Sequence, residues 1–161
     1  MRYMVDTNIF SNLVSGEIRL ESLPPDGEFW STPVQWAELN DARGDRRSQL
    51  LSKFKEIVDS KAIVPAAFSF DVRGAGFDEG EWRNDTSVYD ALKTDLDEAW
   101  KRLPTKKKKR KKKGNNAKDA LIAEAAMLRD FTLLTSDSDL AEAAKKNRIK
   151  VSYVKAAPVR P

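Results

Sequence analysis

The 161-residue sequence predicts an α/β sandwich in which a mostly parallel central sheet of four or five strands is flanked by helices. Two observations lead there. Short apolar runs with strand character alternate with segments of helical period along the chain, the pattern of parallel strands joined by helical crossovers. Acidic residues also fall directly after strand-like runs, and an open parallel sheet places its ligand site beyond the carboxyl ends of its strands.

The elements can be read in order. Residues 2–5 (RYMV) form a short strand ending at Asp6, and residues 7–14 (TNIFSNLV) suit a short helix closed by Gly16. Residues 28–32 (EFWST) read as a second strand. A helix follows from Pro33, a residue tolerated in a first helical turn, through VQWAELNDAR to Gly44. In 46–60, Leu50, Leu51, Phe54, Ile57 and Val58 recur at helical spacing. Residues 61–70 (KAIVPAAFSF) are ambiguous, with a short strand broken at Pro65 as one reading, and 71–84, rich in Gly, Asp and Glu, read as a loop. A helical pattern resumes over 86–103 and stops at Pro104. After a basic run come an alanine-rich helix at 116–130, a strand at 131–134 (FTLL), a helix at 137–147 and a last strand at 149–154 (IKVSYV), with a frayed tail beyond. No internal repeat is present, and the length suits one domain over 1–161.

Composition removes whole classes of chemistry. With no cysteine there are no disulfides, thiolate zinc sites or thiol nucleophiles, and a reducing, cytoplasmic setting is expected. With no histidine, the usual general base of serine and cysteine hydrolases is missing, as are the imidazoles of metal-free ribonucleases and most zinc sites. Hydrolysis would have to rest on carboxylates, lysine or a hard metal ion. No run approaches the roughly 20 apolar residues of a membrane span, and MRYMVDTNIF does not read as a secretory signal. The net charge of +4 is uneven. Removing the eight positive charges of KKKKRKKK (106–113) leaves −4 on the remainder, and such a block usually marks a solvated segment that meets a polyanion.

Four acids stand out. Asp6 follows the first strand, and Asp137 lies three residues past the end of FTLL. Asp119 shares a helical stripe with Ile122, Ala123 and Ala126, where a carboxylate is desolvated and costly unless paired or bound to a cation. Glu38 shares a face with Val34 and Ala42. Four carboxylates around one pocket would repel one another. Mg²⁺ or Mn²⁺, which prefers oxygen ligands, resolves the repulsion, lowers the pKa of water and stabilises phosphoryl charge. Plainer readings exist for each acid. Asp6 or Thr7 could cap the helix that follows, and Ser136 or Asp137 the next one. Glu38 could be a solvated helix acid, and Asp119 could pair with Lys118 or Arg129. Asp41, Asp130 and Asp139 read as surface or capping residues, Asp139 being the one placed to join the site.

Three blocks carry a family resemblance. MVDTNIFSNLV resembles the opening of PIN domains, especially VapC-type toxins, in which an apolar strand runs into Asp-Thr-Asn and a helix. STPVQWAELNDARGDRR is similar to their strand, Ser/Thr turn and helix with an Ala-Glu-Leu core. KDALIAEAAMLRDFTLLTSDSDL is similar to their closing block. Any one is weak; in family order over about half the chain, they are specific. The resemblance implies a PIN-like three-layer sandwich and a Mg²⁺- or Mn²⁺-dependent endoribonuclease. Asp6, Glu38, Asp119 and Asp137 would be its catalytic, metal-binding acids, holding one or two ions. Asn8, Thr135 and Ser136 would support them, with Thr7 and Asp139 as further candidates. It also implies RNA as substrate, frequent homodimers and, in the VapC group, an antitoxin that blocks the site. There are departures. The 81 residues from Glu38 to Asp119 exceed a compact VapC-type toxin, the excess lying at about 73–114, and KDALIAEA carries Glu124 where alanine is more usual.

The lysine-rich loop (105–114) enters the helix of Asp119. It reads as a phosphate-binding arm in which Lys106, Lys107, Lys108, Lys109, Arg110, Lys111, Lys112 and Lys113 contact RNA in a salt-dependent, sequence-blind way. A plain solvated loop, or a localisation signal, is the alternative. Arg43, Arg46 and Arg47 could add phosphate contacts or simply be solvated. Trp30, Trp36, Trp82 and Trp100 are expected in the core rather than stacked on bases. Two rivals to the ribonuclease stand beside it: a PIN-like DNase or structure-specific nuclease, and a non-catalytic nucleic-acid-binding module that uses the lysine-rich loop.

Overall fold

The structure, a computed structural model, describes residues 1–67, 69, 71–76, 80–82, 87–104 and 115–157. In chain order the elements are β1 (Arg2–Val5), α1 (Thr7–Ser15), a 3₁₀ turn (Leu20–Ser22), β2 (Glu28–Trp30), α2 (Pro33–Asn40), α3 (Gly44–Ile57), β3 (Ala66–Ala67) and β4 (Gly80–Glu81). They continue with α4 (Tyr89–Arg102), α5 (Asn115–Leu128), β5 (Thr132–Thr135), α6 (Ser138–Lys146) and β6 (Val151–Tyr153).

Four strands make a sheet of order β2-β1-β5-β6, parallel throughout. Met4 faces Leu133 and Val5 faces Leu134 across the central pair. Side chains alternate faces along a strand, and here both faces are apolar. Met4 and Leu133 join one buried cluster with Leu92, Leu96, Leu121, Ile122 and Leu140. Val5 and Leu134 join a second with Ile9, Phe10, Leu50 and Phe54. Helices α4, α5 and α6 therefore cover one side and α1 and α3 the other, giving the expected three layers. The continuous apolar character of RYMV and FTLL has its cause in this double burial.

The strand order also locates the site. From β1 the chain turns through α1 to β2 on one flank; from β5 it turns through α6 to β6 on the other. The helices leaving the adjacent strands β1 and β5 thus pack on opposite faces, which opens a crevice beyond their carboxyl ends. Asp6 and the segment Thr135–Asp137 lie there.

Local chemistry fixes the helix ends that matter. Gly16, at φ 76, closes α1 in the left-handed conformation that glycine adopts without a Cβ clash. At α2, the Thr32 hydroxyl accepts from Val34 N at 3.2 Å and the Gln35 carbonyl oxygen accepts from Thr32 N at 2.9 Å, a reciprocal cap. The Gln35 amide also donates to Val5 O at 3.0 Å, tying α2 to the last residue of β1. Gly74, at φ 86, lies so close to this start that a Cβ would stand 2.4 Å from the Pro33 carbonyl carbon.

Several expectations are corrected. The helix predicted from Pro33 to Gly44 stops at Asn40, because Arg43 is extended and Gly44, at φ 58, begins α3 rather than ending α2. In the ambiguous stretch, Ile63 makes a parallel bridge to Ser31, and the strand is only Ala66–Ala67, beyond Pro65. Its parallel partner β4 lies within 71–84, which read as loop. Trp82 is 77 % exposed rather than a core residue, whereas Trp30 and Trp36 pack on the buried clusters. Among the described residues no helix is long and apolar enough to cross a membrane.

Gln35→Leu should destabilise the fold by about 2–4 kcal/mol, because it strands two buried backbone groups, each costing about 1–3 kcal/mol. Urea or thermal unfolding measures this.

Candidate active site

Asp6 is fully buried at the carboxyl end of β1. Its backbone N donates to Leu134 O at 2.9 Å, continuing the β1–β5 ladder by one residue. It occupies the N-cap position of α1 without a hydrogen bond of capping geometry, although the Asn8 backbone N–H is near enough to favour its charged form. The carboxylate turns instead to β5. Its Oδ2 accepts from the Thr135 hydroxyl at 2.6 Å and from the Asn8 amide at 3.3 Å, while Oδ1 is buried with no hydrogen-bond partner. Burial pushes the carboxyl from 3.8 up to about 6. The Thr135 bond opposes that rise, and the charges of Asp137 and Glu38 add to it.

Thr135 serves both sides of the crevice. While donating to Asp6, its hydroxyl accepts from Asp137 N at 3.0 Å. Asp137 then caps α6, its Oδ1 accepting from Asp139 N at 2.8 Å and Leu140 N at 3.3 Å. Capping and proximity to Asp6 are therefore not alternatives here: the capping carboxylate is also close enough for its charge to act on Asp6. Ser136 receives a 2.8 Å bond from the Asn12 amide of α1, a contact across 124 residues that the sequence reading missed. Its signal was available, since Asn12 lies one helical turn beyond Asn8 on the same face.

Glu38, on α2, is not an ordinary solvated acid. Its side chain is 20 % exposed, its Oε2 is buried without a hydrogen-bond partner, and its Oε1 faces Lys118 Nζ of α5 at 3.7 Å. Asp119, the next residue, is buried on α5, which packs against β1 and α2. Lys118 faces Glu38, and Arg129 pairs with Glu81 at 2.6 Å. Asp139 is half-buried in the first turn of α6, and Thr7 is buried with its hydroxyl unbonded rather than capping.

The structure thus brings Glu38 and Asp137 into electrostatic reach of Asp6, while Asp119 is placed only as a buried residue of α5, the helix that packs on α2 and β1. Among the described residues, no group of three or more acids stands as a formed metal cluster. The donor chemistry nevertheless fits a hard cation. Of the three carboxylate oxygens that are buried and unbonded among the described residues, Glu124 Oε2 belongs to the α4 cap and the other two, Asp6 Oδ1 and Glu38 Oε2, belong to this crevice, an arrangement costly unless something positive meets them. An apolar groove of about 570 Å³ runs along α2 and α3, lined by Pro33, Trp36, Phe54, Val58 and Ile63, and none of the four acids borders it.

Glu124, the departure noted in KDALIAEA, has a different part. Fully buried, it lends Oε1 to the Ser87 hydroxyl at 2.5 Å and to the amides of Val88 and Tyr89 at 3.0 and 3.2 Å, capping α4 from a neighbouring helix. Arg43, Arg46 and Arg47 are exposed around the start of α3, where Arg47 bonds the Asn40 side chain at 2.8 Å. The lysine-rich run 106–113 lies outside the described residues.

No family model matches the chain, and no curated protein matches it. Solved structures do. A chain of VapBC2 from Rickettsia felis, solved bound to a DNA fragment from its promoter, aligns over 95 % of this chain and 98 % of its own, at 21 % identity and a TM-score of 0.52. A domain of a functionally unknown protein from Methanocaldococcus jannaschii aligns over 99 % and 95 %, at 16 % identity and a TM-score of 0.51. These likenesses establish the fold: the chain has the PIN-like α/β architecture of VapC structures, with its parallel four-stranded sheet between helical layers.

The raised Asp6 carboxyl sets a pH dependence in the metal-free protein. The folded state holds this proton more tightly than the unfolded state. Its stability contribution is therefore full below about pH 3.8 and is lost as pH rises through about 6. In EDTA, the Asp6→Asn variant should lack this loss and be more stable than the parent at pH 7.5 by about 1–3 kcal/mol. Chemical denaturation at pH 4.5 and 7.5 measures it, and equal slopes in both proteins would contradict the assignment.

Proposed function

We propose that this chain is a Mg²⁺- or Mn²⁺-dependent endoribonuclease, the toxin of a toxin–antitoxin pair, with Asp6, Glu38, Asp119 and Asp137 as its metal-binding acids. The observation that carries the reading is Asp6, buried at the switch of an open parallel sheet with one oxygen fixed by Thr135 and the other turned to no partner, while Glu38 and Asp137 act on it. The absence of histidine supports it, since acid clusters without imidazole suit phosphodiester hydrolysis better than acyl transfer.

When bound, a divalent cation supplies Lewis acidity, polarising a phosphoryl oxygen and making water nucleophilic near neutral pH. The chain's own residues prepare for this. Thr135 and Asn8 fix the Asp6 carboxylate from one side, so that its other oxygen is presented rather than rotating. The first amides of α6 hold Asp137 at the opposite lip. Glu38 and Asp119 bring two further carboxylates from α2 and α5. Ser136, held by Asn12, sets the loop between the lips. Such pre-positioning means that little rearrangement is needed when substrate arrives.

The resemblance to the VapC group, which the likeness in fold to VapBC2 supports, implies an antitoxin partner that blocks the site. We read the protein as a cytoplasmic homodimer, and the lysine-rich loop, with Arg43, Arg46 and Arg47, as its contacts to the RNA backbone.

The test is direct. Purified protein with Mg²⁺ or Mn²⁺ should cut single-stranded RNA, leave single-stranded DNA and duplexes largely intact, and lose activity in EDTA. Asp6→Asn and Asp119→Asn should each reduce cleavage by at least about 100-fold, the scale on which preorganised electrostatic groups act, without loss of the folded circular dichroism spectrum. Preferential cutting of DNA would reassign the substrate. RNA binding that is equally strong in EDTA, with no cleavage under any condition, would identify a binding module instead.

A further inference from the structure

Lys118 stands at the start of α5, one residue before Asp119, with a quarter of its side chain exposed. Its ammonium is 3.7 Å from Glu38 Oε1, beyond normal hydrogen-bond length but well within Coulombic reach. It is held on Glu38 by charge rather than by a directed bond, so no hydrogen bond is broken when it leaves. Only a competing anion can draw it away. Glu38 and Asp137 both act on the buried Asp6, and a nucleic-acid strand entering this crevice adds phosphates to carboxylates. A lysine ammonium on a flexible stem is a mobile point charge that can follow a phosphate oxygen.

We propose that Lys118 is a substrate-binding residue that rests on Glu38 in the absence of a divalent cation and transfers to a phosphate oxygen of the bound strand once a cation joins the carboxylates. The inference rests on the nuclease reading above. It has a signature of opposite signs. Deleting the ammonium removes a competitor for Glu38, so the divalent cation binds more tightly. The same deletion removes a charged contact to substrate, so cleavage weakens. A lysine that merely supported the fold would not shift the two in opposite directions.

The experiment compares the parent protein with K118M and K118R, first checked for matching melting temperatures. Mn²⁺ affinity is measured by calorimetry without nucleic acid, and KM and kcat on a single-stranded RNA at saturating Mn²⁺. For K118M the expected result is Mn²⁺ binding up to about fivefold tighter, the range of a part-exposed ion pair. Its kcat/KM should fall about 10- to 100-fold, as for a lost hydrogen bond to a charged group, mainly through KM. K118R should retain most of the parent's cleavage. Unchanged Mn²⁺ affinity with unchanged kinetics in K118M, or a joint fall of both, would overturn this role while leaving the nuclease reading in place. A parent protein that neither binds Mn²⁺ nor cuts nucleic acid would overturn both.

Discussion

The bond from the Thr135 hydroxyl to the buried Asp6 carboxylate is the interaction on which the rest of the site depends. It joins the carboxyl ends of two adjacent parallel strands at the level where their ladder ends. Without it, Asp6 would be a charge in an apolar interior with no bond from the neighbouring strand, and burial of that kind drives a carboxyl to its neutral form. With it, one oxygen is satisfied and the other is kept in place, unbonded. Because the same hydroxyl receives the Asp137 amide, the geometry of Asp6 and the start of α6 cannot be set independently.

The sheet makes this possible by being buried on both faces. Met4 and Leu133 pack one way, Val5 and Leu134 the other, so the strand ends are held rigidly and the residues just beyond them inherit their positions. Gln35 extends the same rigidity to α2 by bonding Val5 O, the carbonyl immediately before Asp6. Glu38, one turn along α2, thus reaches the crevice from an element anchored to β1. The acids gain their mutual strain, and with it their affinity for something positive, from a scaffold too well packed to let them separate.

Much of this was legible in the chain. Asp6 after RYMV and Asp137 after FTLL could be placed because the end of an apolar strand is a local signal, and the parallel sheet tells what the end of a strand is for. The burial of Asp119 was legible from its apolar stripe. What escaped were features set by partners distant in sequence. Asn12 meets Ser136 across 124 residues, and Glu124 caps α4 across a helix pair. The two-residue strand Gly80–Glu81 has no apolar run to announce it and exists only because Ala66–Ala67 lies beside it. Trp82 was assigned to the core by residue type, but it is largely exposed. The break after Asn40 was missed because the helical apolar pattern continues past it, while the backbone turns at Arg43 and Gly44.

By itself the sequence determined the fold class, the order of the helices and of the four strands of the main sheet, and the chemistry available, since period, turn residues and the lack of histidine and cysteine are properties of the chain alone. Tertiary structure decided how those groups stand towards one another: which oxygen of Asp6 is bound and which is left over, that Lys118 faces Glu38, and that Glu124 serves a helix end. The reason is physical. Periodicity records which side of an element is buried, whereas hydrogen bonds and charges depend on distances of a few ångströms between segments that only packing brings together.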